Sequence, residues 1–214
     1  QILDRSRLYK MTIVNSDILI RTIFLETAFL SFMFLGSSFN DVTLAANQVL
    51  IQFLHITAYG MDGFAIAAEI LVGQAIGARS LGNLRRSVVL TCKWGAITAA
   101  CMSLFFAIFG SYIINLMTTA TDVRSVAEQY LPWMILAPLA GGASWMFDGI
   151  FIGATRTADM RNMMLISFGV YLISLIILLP SFDNHGLWIA LNIFLCARGI
   201  TLWWRYPKVE LFIS

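Results

Sequence analysis

Val88–Leu116 reads VVLTCKWGAITAACMSLFFAIFGSYIINL, and Lys93 is its only charged residue. About 20 mostly apolar residues at 1.5 Å rise cross the roughly 30 Å hydrocarbon core of a bilayer. This stretch is therefore a transmembrane span with length to spare. Working outward, the same test finds five more spans: Ser16–Phe39, Leu44–Ile76, Val126–Ala154, Met163–Leu179 and Gly186–Trp204. The second, third and fourth of the six exceed what a bilayer needs, so they should tilt, bend or project from it. Pro132 and Pro138 each remove a backbone donor from the fourth and mark it for bending.

The whole composition agrees. Of 214 residues, 59% are hydrophobic and only 12% are charged, with a mean hydropathy of +0.79. A soluble domain carries about twice that share of charge, and a chain this short cannot hide so much apolar surface from water. A water-soluble enzyme, a disordered chain and a nucleic-acid binder are excluded; the fold class is an all-α polytopic membrane protein. The net charge of +2 argues for no anionic partner. Cys92, Cys101 and Cys196 lie in apolar runs without CxxC spacing, which reads as packing and leaves no disulfide framework or metal site. No GxSxG, HExxH or phosphate-binding Gly-rich loop occurs, so neither enzyme chemistry, a cofactor nor ATP-driven transport is expected. The chain starts at Gln1 without a signal-peptide pattern, and the expectation is a fragment of a longer protein.

Short breakers separate the spans, so neighbours should run antiparallel. Asp41, Asp122 and Asp159 stand where N-caps are wanted. Lys and Arg are distributed unevenly. Arg5, Arg7, Lys10, Arg79, Arg85, Arg86, Arg156, Arg161, Arg205 and Lys208 fall on one side, against Arg124 alone on the other. The positive-inside rule puts both termini in the cytoplasm, and an even number of spans agrees. Trp203, Trp204 and Tyr206 read as an interfacial anchor at that side. Gly141-Gly142-Ala143-Ser144 permits close helix contact.

Charge inside the spans is the informative anomaly. An Asp, Arg or Lys at a bilayer's centre costs about 2.5–3.5 kcal/mol even on the mildest scale, and such groups face water or the bundle interior. Asp17 and Arg21 are four apart and are expected to pair. Glu26 lies off that face, halfway through its span. His55, Asp62 and Glu69 recur every seven residues and share a stripe with Tyr59. Asp148 lies in the fourth span and Arg198 in the sixth, and Arg21 and Arg198 are candidates to neutralise Asp62 and Glu69. Asn47, Gln48 and Gln74 could line a pathway or join helices. One reading is a proton or cation relay, whose carboxyl groups bias a two-state structure; the other is a set of ion pairs that fix packing. Met and Phe throughout the spans suit either a lining for apolar ligands or plain packing.

Three segments resemble a known family. They are YGMDGFAIAAEILVGQAIGA at 59–78, FDGIFIGATR at 147–156 with Met160-Arg161-Asn162, and NHGLW at 184–188. The chain is similar over nearly its whole length to the carboxyl-terminal half of MATE (multidrug and toxic compound extrusion) transporters of the DinF-like branch. The resemblance implies one six-helix lobe of a twelve-helix protein, at 16–206. Residues 1–15 would end the lobe-connecting segment, and 207–214 would be a cytoplasmic tail. It implies antiport of cationic, lipophilic compounds against protons or sodium, an amino-terminal six-helix lobe as partner, and a cytoplasmic (inner) membrane. Phe24-Leu25-Glu26-Thr27 matches the setting of a cation-binding Glu in sodium-type members, and Asp148 matches an Asp of the same site. Ser144 stands where those members have a Tyr, a departure from the sodium pattern. The expected substrate and cation pathway comprises Glu26, Asp148, Asp62, Glu69, Arg21, Arg198, Tyr59 and Asn47. The alternatives are a flippase for lipid-linked intermediates and a non-transporting remnant or helper subunit.

Overall fold

Helices account for nearly the whole chain. The computed structural model describes residues 5–211, without the side chains of Ser6, Arg7 and Lys10. What was read from Gln1, from the side chains of Arg7 and Lys10, and from the end of the tail lies outside what is described. The elements are α1 (Arg5–Gly36), α2 (Asp41–Gly77), α3 (Leu81–Met117), α4 (Thr121–Gly153), α5 (Thr157–Arg205) and the short α6 (Pro207–Glu210). Among the described residues, five helices are long and apolar enough to cross a membrane. At 1.5 Å per residue, α2 and α3 are each about 55 Å long, well beyond the hydrocarbon core.

Six separate helices were expected and five long ones are found. The correction lies in α5, where the expected loop at 180–186 shrinks to a sharp kink. Asp183 alone leaves helical geometry, at φ 47° and ψ −130°. A straight helix would hold Ser167 and Thr201 about 50 Å apart, yet their hydroxyls are 3.2 Å apart. The 49-residue element is therefore doubled back on itself. Gly186 lies directly against the backbone of Leu178 at the fold, where no Cβ would fit. α4, by contrast, runs unbroken through Pro132 and Pro138.

α4 is the hub, and its sequence explains why. It is apolar around much of its circumference, which suits a buried helix, and it carries glycines where neighbours approach. Gly149 meets the backbone of Ala65, and Gly153 that of Glu69, so α2 and α4 touch main chain to main chain. Gly142 lies against Ala99 of α3, and Ala143 against Gly199 of α5, as the small-residue cluster anticipated. α2, α3 and both arms of α5 surround α4, and α1 rests on α5. Phe24 meets Phe168 edge-on at 5.2 Å. Tyr171 Oη donates to the Ala28 carbonyl at 3.2 Å and lies 3.1 Å from Ser31 Oγ. The ring around α4 has two gaps. α1 and α2 touch only lightly, and α3 and α5 hardly pack against each other.

The charged loops gather at one end. Asp17 accepts from Thr157 Oγ1 at 3.0 Å and from Arg161 Nη1 at 2.5 Å. Asp159 takes Arg156 and Arg205, and Glu210 takes Arg85. The three aspartates expected as N-caps prove to be first-turn residues instead. Asn40 caps α2, accepting from Thr43 N at 2.6 Å, while Ala120 and Arg156 precede α4 and α5 without side-chain caps. One to three positions further in, the aspartates still complement the positive end of each helix dipole.

Candidate functional site

The seven-residue spacing on α2 resolves into an exposed polar stripe. Gln48, Gln52, His55, Tyr59 and Asp62 are all exposed, and Glu69 is half-buried. Tyr59 retains 76% of its surface. Gln52 completes the stripe, three residues before His55; its uncharged amide kept it from being singled out. α1 borders the stripe across the light contact, where Phe29 faces His55 with ring centroids 6.4 Å apart. Glu26, three residues from Phe29, is exposed on α1. Gln74 is exposed near the end of α2.

Behind this face lies a buried charge cluster. Asp148, 6% exposed, accepts at Oδ2 from Arg198 Nη2 at 2.7 Å and from Arg21 Nη2. Arg198 is 2% exposed, and its guanidinium sits 5.7 Å from the Phe194 ring centroid. The opposite carboxylate oxygen of Asp148 and the Nε atoms of both arginines are buried without a partner among the described residues. Two guanidiniums and one carboxylate carry a net positive charge.

This corrects the expected pairing of Asp17 with Arg21. Both leave their own helix for partners on others: Asp17 bonds Arg161 and Thr157, and Arg21 bonds Asp148. The i,i+4 contact is worth only a few tenths of a kcal/mol, and a buried carboxylate within reach outweighs it. Arg21 and Arg198, the candidates to neutralise Asp62 and Glu69, make their direct ion pairs with Asp148 instead.

Asn47 lies elsewhere. It is fully buried and exchanges hydrogen bonds with Asn184 at 2.8 and 3.1 Å while accepting from Trp188 Nε1 at 2.9 Å. That triad ties α2 to the second arm of α5, so the geometry favours the helix-joining reading. Ser144 is buried, and its hydroxyl donates to the Gly141 carbonyl at 2.8 Å. The sites thus separate into an open carboxylate-bearing face (Glu26, Tyr59, Asp62, Glu69), an enclosed ion cluster (Asp148, Arg21, Arg198) and a core clasp (Asn47).

A family model described as MatE matches residues 18–178. The chain belongs to the MatE family. Within it, the chain is 36% identical to the DNA damage-inducible protein F of Escherichia coli (strain K12), over 92% of this chain and 43% of that protein. It is 25% identical to a probable multidrug resistance protein NorM of Bacillus subtilis (strain 168), over 88% of this chain and 42% of that one. Among solved structures, the Vibrio cholerae MATE transporter VcmN in its bent form aligns with a TM-score of 0.88. It covers 99% of this chain and 49% of that one at 17% identity, a likeness of fold. This MatE chain spans less than half the length of the curated relatives it matches, and it is a multi-pass membrane protein.

Proposed function

We propose that this chain is the carboxyl-terminal lobe of a secondary antiporter that exports cationic, lipophilic compounds in exchange for protons. It would act in a cytoplasmic membrane with both termini inside. One observation carries the reading: the exposed stripe of α2 sets Asp62 and Glu69 among glutamines, a histidine and a tyrosine, on a helix long enough to span the bilayer. Ionisable groups at that depth turn to water or to a partner. The stripe and Glu26 therefore form one wall of a water-filled path, and the amino-terminal lobe closes the other side. Its negative groups attract a cation, and flanking apolar residues such as Ile66 and Leu30 suit a lipophilic body. Protonation of Glu26, Asp62 or Glu69 removes that attraction and releases the cargo, and the two lobes rock between inward and outward openings.

The charge at Asp148 supports protons over sodium as the coupling ion. Two guanidiniums bonded to that carboxylate repel a metal cation, and the Ser144 hydroxyl is turned to backbone. Dye export from proteoliposomes tests the reading, with the chain joined to an amino-terminal lobe. An imposed pH gradient is expected to drive export of a cationic dye. Glu26→Gln with Asp62→Asn should cut the rate by roughly tenfold or more while the protein still unfolds at its usual temperature. Export under neither a pH nor a sodium gradient would overturn the proposal in favour of lipid flipping or a non-transporting helper.

A further inference from the structure

The second gap in the ring, between α3 and α5, lies on the far side of α4 from the polar stripe. It is lined by Val89, Cys92 and Ala96 of α3, Gly142 and Met146 of α4, and Trp203 of α5, and encloses about 470 Å³. A neighbouring groove of about 290 Å³ shares Ala143, Phe147 and Trp203 as a common wall. Along α3 the first groove extends from Val88 to Ala99, about 16 Å. That is half the hydrocarbon core, the depth of one leaflet.

The groove is flanked by cations. Arg86 lies two residues beyond its Val88 end, and Lys93 stands beside it about midway between Val88 and Ala99, at the edge of the groove-lining face, with a stem long enough to carry its ammonium toward that end. Both are exposed, and neither has a hydrogen bond or ion pair among the described residues. Arg85, by contrast, is held by Glu210 at 2.7 and 3.1 Å. Trp204, 71% exposed beside Trp203, marks the level of a membrane interface. Two joined apolar grooves, the first of leaflet depth, flanked by two cations that have no ion pair among the described residues, match a two-chain lipid with an anionic headgroup.

We infer that this face is a binding site for an anionic diacyl phospholipid. One acyl chain lies in each groove, and Arg86 and Lys93 hold the headgroup phosphate. The inference is independent of transport. Its test is native mass spectrometry of the purified protein with added phosphatidylglycerol or phosphatidylcholine. One phosphatidylglycerol is expected to be retained, with a preference of roughly tenfold, given about a tenfold or smaller gain per basic group. Arg86→Gln with Lys93→Gln should bring the two lipids to parity. Ala96→Trp, which fills the groove from an exposed position, should abolish retention of both. Equal retention of the two lipids by the unaltered protein would overturn the site. So would a preference that survives loss of both cations, or retention that survives Ala96→Trp. Full displacement by inorganic phosphate, or a second copy of the chain in place of lipid, would overturn it as well.

Discussion

Asp148 faces two guanidiniums, and that two-to-one ratio sets what each substitution does. Asp148→Asn leaves Arg21 and Arg198 as like charges side by side, one of them fully enclosed. Removing one partner from a buried ion pair costs about 3–5 kcal/mol, and this change belongs at the upper end. Arg198→Met leaves a neutral Arg21–Asp148 pair and replaces the lost group with apolar bulk, so its loss should be well under half as large. Thermal unfolding in detergent micelles checks the order, and equal losses would mean that the three groups do not act as a unit. The participants were legible because charge stands out in an apolar span. Their pairing was not, because spacing reports only neighbours on one helix. Asp17 finds Arg161 at a separation of 144 residues, and Arg21 finds Asp148 at 127. The α2 stripe was legible for the converse reason: its period belongs to one helix, and only the direction it faces needed the rest of the fold.

Among the elements, α5 and the α2–α4 contact carry the sharpest expectations. Asp183 holds a positive φ that favours glycine, at a cost of order 1–3 kcal/mol for such strain. Asp183→Gly should stabilise the protein by about 1 kcal/mol, and Asp183→Val should destabilise it, both read from unfolding midpoints. A turn made by one non-glycine residue is hard to foresee, which is why Pro180–Gly186 suggested a loop between separate helices. Where α2 and α4 meet, a methyl group on Gly149 or Gly153 would strike the partner's backbone, and backbone cannot step aside as a side chain can. Gly149→Ala and Gly153→Ala are each expected to cost about 1–3 kcal/mol, in the range of overpacked cores. Gly169→Ala has open space and sits in a helix interior, so it should be neutral or stabilising by up to about 1 kcal/mol. A uniform response across the three glycines would contradict the close approach.

At the scale of the whole molecule, the uneven placement of Lys and Arg in the sequence becomes one charged end of the bundle, with Arg85, Arg156, Arg161 and Arg205 gathered there in ion pairs. At the opposite end Arg124 is turned onto the carbonyls of Thr118 and Asn115. Gly82→Cys at the first end and Thr119→Cys at the second, in a chain stripped of its own cysteines, give an orientation test. A membrane-impermeant maleimide added to intact cells should label the Thr119 position at once and the Gly82 position only after the membrane is opened. The reverse pattern would invert the assignment. The way α1 is held has a further consequence, one of time. Among α1 to α5 it is the first made, yet Asp17 is satisfied by Thr157, 140 residues later. At about 5–20 residues per second, Asp17 waits on the order of ten seconds for that partner, with only Arg21, four residues along the same helix face, to answer it. The final contacts of α1 therefore come last, when α4 and the first arm of α5 have been made.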